Sequence, residues 1–91
     1  MKVSLDPAKN DRNVLERHLN FSQVEQWVWA RSAIKEDTRK DYGERRLRAI
    51  GFIAERLFVH VFTPRDGMVH VISLRKANNR EIKRHAEANK S

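Results

Sequence analysis

The chain of 91 residues has no cysteine, two prolines, three glycines and a single tyrosine. Without cysteine there is no disulfide, no thiolate nucleophile and no cysteine-ligated zinc, and a cytoplasmic location is the expectation. No apolar run approaches the roughly 18–20 residues that cross a bilayer. The opening Met1-Lys2-Val3-Ser4-Leu5-Asp6-Pro7 has no apolar stretch behind its lysine, so no export signal is expected. No linker or repeat divides the chain, which reads as one domain over residues 1–91. Acidic residues are also in deficit: 12 stand against 19 lysines and arginines, giving a formal net charge of +7 and a pI near 10.4. A field of that sign favours phosphate backbones or acidic proteins. A membrane surface is not the expected partner, because the basic C-terminal segment has almost no apolar face.

Hydrophobic residues make up 40% of the chain, with Trp27, Trp29 and four phenylalanines, enough for a small globule. Surface scaling predicts about 5,500 Å² exposed when folded, near the lower limit for a self-sufficient core. Basic segments over 31–48 and 75–91 bracket a neutral apolar one, Gly51 to Leu74.

Asp6-Pro7 reads as an N-cap followed by a proline at the first helical turn. The helix should run to about His18, with Val14, Leu15 and His18 inward and Lys9, Arg12, Glu16 and Arg17 outward. Ser22 with Glu25 matches a capping box, so a second helix is expected, with Val24, Trp27, Val28 and Arg31 on one stripe and Trp29 off it. A weak strand is expected over Ser32 to Arg39, and clearer ones over Arg45 to Ile53, Leu57 to Phe62 and Met68 to Leu74. Ala54-Glu55-Arg56 is the bend between the middle pair, and Thr63-Pro64-Arg65-Asp66-Gly67 is a hairpin turn. Asn78 with Glu81 caps a C-terminal helix held only by Ile82 and Ala86. The expectation is an α+β fold with two N-terminal helices, a three- to four-stranded antiparallel sheet and a C-terminal helix. Its helices are expected on one side of the sheet, leaving a face partly open.

Asp6-Pro7-x-Lys9, Asn13 and Arg17-His18 come first among a set of short motifs. Phe21, Glu44-x-Arg46, Gly51 and Val59-His60-Val61-Phe62-Thr63 follow, and Ile72-Ser73-Leu74-Arg75-Lys76-Ala77 with Arg80-Glu81 closes the set. In order and spacing this set resembles the BrnT toxins of bacterial type II toxin-antitoxin systems, over nearly the whole chain. Leu5 stands where an aromatic is usual, Leu19-Asn20 replaces a common glycine, and His85 takes a place often held by tyrosine. The resemblance implies a RelE-like fold, metal-independent endoribonuclease activity and no cofactor. It also implies a BrnA-type ribbon-helix-helix antitoxin partner, in a heterotetramer with the antitoxin dimer, with operator DNA bound only through that partner.

Cleaving RNA without a metal takes a base for the 2′-OH proton, cations for the phosphorane and an acid for the leaving 5′ oxygen. Arg75 and Lys76, at a strand end beside a helix cap, are candidates to hold a phosphate. Arg65, in the hairpin turn, is a further candidate cation. Glu44 is a candidate base, and an ordinary surface ion pair with a nearby arginine accounts for it equally well. His18 is either a catalytic imidazole or a packed one, and His85 is a candidate acid or stacking group. Lys9, Arg45, Arg48, Lys76 and Arg80 are candidate RNA contacts, with Arg46 expected on the face opposite Arg45 and Arg48. His60 and His70 face each other only if Phe62 pairs with Met68. Four histidines without ligand spacing do not make a metal site. A non-catalytic nucleic-acid-binding module, stacking bases on Trp29 or Phe52, or a pure interaction protein would use the same charge.

Overall fold

A computed structural model describes residues 2–89. Strand β1 (Val3–Leu5) leads into helix α1 (Pro7–Arg17), and two 3₁₀ helices follow (Phe21–Gln26 and Trp29–Arg31). The chain continues through β2 (Ala33–Glu36), β3 (Leu47–Ile53), β4 (Arg56–Arg65), β5 (Met68–Lys76) and helix α2 (Asn79–Ala88). The sheet is mixed and five-stranded, in the order β1-β5-β4-β3-β2, with β1 parallel to β5 and the other pairs antiparallel. The expected three- to four-stranded antiparallel sheet therefore gains β1, which at three residues is too short to show alternation.

The expected second helix is a 3₁₀ helix instead. Its cap is Asn20, whose side chain accepts from Ser22 N while Gln23 accepts from Asn20 N, rather than the Ser22–Glu25 box. Phe21, Val24 and Trp27 are spaced by three, the period of a 3₁₀ helix, and all three are buried. Helix α1 also departs from expectation: Leu15 is 80% exposed, Val14 is exposed, and the buried residue is Asn13. Asn13 donates to the carbonyls of Leu19 and Leu74, tying the helix to β5. His18, expected inward, is an exposed left-handed C-cap (φ 59°).

One sheet face carries Ala49, Gly51 and Ile53 of β3, Phe58, His60 and Phe62 of β4, and Val69, Val71 and Leu74 of β5, packed against Leu19, Phe21, Val24 and Trp27. Gly51 is required there, since a Cβ would lie 2.8 Å from the Trp27 ring. A bulge at Val61/Phe62 shifts the β4–β5 register, from Val61 opposite Ser73 to Phe62 opposite Val71, which keeps Leu74 and Val71 on the packed face. His60 pairs with Leu74 and His70 with Thr63, so the two histidines do not meet. The two-residue turn is Asp66-Gly67, both at positive φ; Pro64 and Arg65, expected in the turn, end β4 instead. Pro64 lies past the last β3 pair, Leu47–Phe62, where β4 has one strand neighbour and a proline is tolerated.

Helix α2 lies on the opposite face, so the helices are not segregated to one side. No residue of α2 is buried, and Glu81 and His85 are its points of contact with the sheet. The molecule exposes 6430 Å², more than the size scaling predicts, as expected of a helix held off the sheet by a cleft.

Candidate phosphate-binding site

The register of β3, β4 and β5 places Arg48, Val61 and Ser73 in one row across the sheet, with Val59 and Arg75 beside it on the same face. Arg17 from the end of α1 and Arg39 from the segment after β2 close over these residues, enclosing a cleft of about 190 Å³. Valines form its floor, Ser73 supplies a hydroxyl, and four guanidinium groups surround it.

Two of the four are held as rigid forks. Arg75 donates to both oxygens of Glu81 at 2.7 and 2.9 Å, and Arg39 to both oxygens of Asp37 at 2.8 Å each. Glu81 serves three partners, since it also accepts from Arg48 at 3.0 Å and caps α2 through Asn78 N. The Arg75 hydrogen bonds hold its carboxyl down to about 2, against the cost of burial. The Arg39 hydrogen bonds hold buried Asp37 at about 2 as well. Two carboxylates against four guanidiniums leave a positive surplus, and the carboxylates orient the arginines without cancelling them.

Beyond the end of β3 on this face lies a second polar cluster. Glu44 accepts from Arg65 at 3.1 Å and lies 3.5 Å from Arg46, whose guanidinium stacks 4.0 Å above the Tyr42 ring. Burial raises the Glu44 pKa, but Arg65 and Arg46 outweigh it and leave the carboxyl below its ordinary range. A carboxylate so held is a weaker proton acceptor than the expected general base. His70 contacts the Ser4 hydroxyl at 2.9 Å through Nδ1, and burial, Arg65 and Lys9 favour its neutral form.

Of the expected site residues, Arg75 and Arg48 are brought together. Lys76 is not: it pairs with Phe58 and alternation points it to the packed face. Arg45, which precedes β3, reaches Glu36 while Arg48 reaches Glu81, and Arg46 joins the Glu44 cluster on the Arg48 face, so the expected grouping of Arg45 with Arg48 opposite Arg46 does not hold. Arg65 and Glu44 pair with each other, and Lys9 acts on His70 in the same cluster. Arg80 is exposed on α2, and His18 is exposed at the end of α1. His85 packs edge-on to Phe52 at 5.6 Å and lines a neighbouring cleft that shares Arg48 with the first. Trp29 packs against Phe62 and His60, and Arg31 stacks on Phe52, so neither aromatic is an open stacking platform.

Sequence reasoning missed Arg17, Arg39 and Ser73. The signal for Arg17 was present: Lys9, Asn13 and Arg17 are four apart, a polar stripe whose middle member is the buried one. Arg39 had no such pattern, since its place depends on the Asp37 fork.

A family model described as ribonuclease toxin, BrnT, of type II toxin-antitoxin system matches residues 5–81. That span includes all four arginines of the cleft and ends at Glu81, before the rest of α2. The crystal structure of the Brucella abortus ribonuclease toxin, BrnT, is similar with a TM-score of 0.67 at 26% identity, over 87% of this chain and 99% of that one. A search of curated proteins finds no match.

Proposed function

Because the chain belongs to the BrnT family of ribonuclease toxins of type II toxin-antitoxin systems, we propose that it is a metal-independent endoribonuclease that holds the scissile phosphate in the four-arginine cleft. The observation that carries this reading is the pair of fork-held guanidiniums, Arg75 on Glu81 and Arg39 on Asp37, facing one cleft with Arg17 and Arg48. Fixed donors aimed where charge develops stabilise a phosphorane without reorganising during the reaction. Four cations also disfavour a divalent metal at the same place.

In the reaction, the ribose 2′ oxygen attacks phosphorus as its proton passes to solvent water, and the bond to the 5′ oxygen breaks as that oxygen gains a proton. The arginines hold the non-bridging oxygens in line. His85, on the wall of the adjoining cleft, is assigned the proton given to the leaving oxygen. Glu44, paired with Arg65, is assigned to orient the strand beyond the cleft rather than to take the proton.

The toxin is neutralised by a BrnA-type ribbon-helix-helix antitoxin whose acidic segment covers the cationic face, as a heterotetramer with the antitoxin dimer. Operator DNA is bound through that dimer, and the toxin acts on RNA in the cytoplasm. Purified protein is expected to cleave single-stranded RNA in EDTA and leave 2′,3′-cyclic phosphate ends. Cleavage that requires Mg²⁺, or none at any enzyme level, contradicts the proposal. Co-expression with the antitoxin is expected to restore growth and abolish cleavage, and no rescue counts against the partner assignment.

A further inference from the structure

Between α2 and the β2–β3 pair lies a second, larger cleft of about 280 Å³, in which Ala33, Ile50 and Ala88 form apolar surface and Lys35 and Arg84 stand among the lining residues. It adjoins the phosphate cleft through Arg48, which lines both. We propose that this second cleft is a nucleobase subsite, with a preference for guanine, taking the base next to the phosphate held by the arginines. The inference rests on the phosphate-cleft reading and adds the ligand that the neighbouring space accepts.

Three features point to a base rather than to a peptide side chain or a lipid. The apolar walls of Ala33, Ile50 and Ala88 suit the flat face of a base, which leaves water on packing against them. The cleft is continuous with a cationic site, so a nucleotide whose phosphate meets Arg48 delivers its base there with no further chain. Its polar side chains other than Glu81 and His85 are donors: the Lys35 ammonium and the Arg84 and Arg48 guanidiniums accept no hydrogen bond. Glu81 is already engaged by Arg75, Arg48 and the cap of α2. Donor-rich surroundings favour a base edge that presents only acceptors, as O6 and N7 of guanine do, over the amino groups of adenine and cytosine. Most of the lining outside β2 and β3 comes from α2, through Glu81, Arg84, His85 and Ala88.

The test is binding followed by NMR, with guanosine 5′-monophosphate, adenosine 5′-monophosphate and ribose 5-phosphate titrated separately into the full chain. Guanosine monophosphate is expected to bind at least about fivefold tighter than ribose 5-phosphate, as burying roughly 40 Å² of base surface against the apolar walls gives, and tighter than adenosine monophosphate. Signals of Ala33 and Ala88 are expected to move with the nucleotide and not with ribose 5-phosphate. Ala33→Trp and Ala88→Trp fill the cleft from exposed positions on opposite walls, so the fold is kept. Both variants are expected to lose the guanosine advantage while binding ribose 5-phosphate like the parent. Equal affinity for ribose 5-phosphate and the guanosine nucleotide, or unchanged guanosine binding in both tryptophan variants, overturns the subsite while the phosphate cleft stands. Failure of all three ligands to bind overturns the phosphate cleft and the subsite together. Tighter binding of adenosine than of guanosine monophosphate overturns the donor argument.

Discussion

His60 makes the stability of this fold sensitive to mild acid. It is fully buried, 4.2 Å from Trp27 and 5.1 Å from Phe62 by ring centroid, and neither ring nitrogen has a hydrogen-bond partner among the described residues. Burial pushes its pKa down to about 3 from an ordinary 6.5. A depressed folded-state pKa means that the unfolded chain takes up the proton first. The neutral imidazole therefore adds no pH-dependent cost above pH 6.5, and stability is lost progressively as pH falls from 6.5 toward 3. At pH 5 the unfolded state is favoured by about 2 kcal/mol relative to pH 7.5 from this group alone. In a domain of this size that lowers Tm by roughly 8–16 °C. Asp37 and Glu81, both held at about 2, add a destabilisation of their own only below their ordinary values of 3.8 and 4.5. The window between pH 7.5 and 5 therefore isolates the histidines. His70 contributes in the same direction, since burial and Arg65 lower its pKa too. Thermal melting of wild type, His60→Phe and His70→Asn across this window reads the effect. His60→Phe is expected to remove most of the slope and His70→Asn a smaller part. A wild-type Tm flat from pH 7.5 to 5, or a slope that survives His60→Phe unchanged, refutes the reasoning.

Gly51→Ala is expected to destabilise by about 1–3 kcal/mol, because the added methyl meets the buried Trp27 ring; a Tm equal to wild type contradicts that contact. Glu81→Gln is expected to cost roughly 1–3 kcal/mol through weakened charge-assisted hydrogen bonds to Arg75 and Arg48. The same variant is expected to lower single-turnover RNA cleavage while binding uncleaved RNA as well as wild type or better, since one negative charge leaves the cleft. Weaker binding with unchanged turnover would show that Glu81 does not position Arg75.

The strands that could be read from sequence were those with alternation or turn residues at their ends. β3, β4, β5 and the Asp66-Gly67 turn all carry such signals, and the Asp6 and Asn78 caps were equally plain. Elements fixed by tertiary contact were misread. Val14 and Leu15 gave α1 an apolar face, yet the helix docks through Asn13, whose two backbone hydrogen bonds depend on where Leu74 lies. The β4–β5 register turned on the bulge at Val61/Phe62, which leaves no local signature and decides that His60 and His70 do not meet. Of the four arginines of the cleft, the strand end pointed to Arg75, while alternation misgrouped Arg48 with Arg45. Arg39 and Arg17 were not legible, since a loop fork and a helix end bring them to the cleft from distant parts of the chain.

The central claim is that the arginine cleft stabilises charge on a cleaving phosphate, and Arg75 tests it most directly. Its fork on Glu81 fixes the guanidinium at the edge of the cleft, a geometry that lysine cannot reproduce. Single-turnover cleavage of RNA by Arg75→Ala, with thermal melting of the same protein, is the measurement. Cleavage is expected to fall by roughly 10² to 10³, as on removing one preorganised donor to a developing oxyanion. Binding of uncleaved RNA should fall far less, and Arg75→Lys should recover little. Near wild-type cleavage by folded Arg75→Ala would contradict the account.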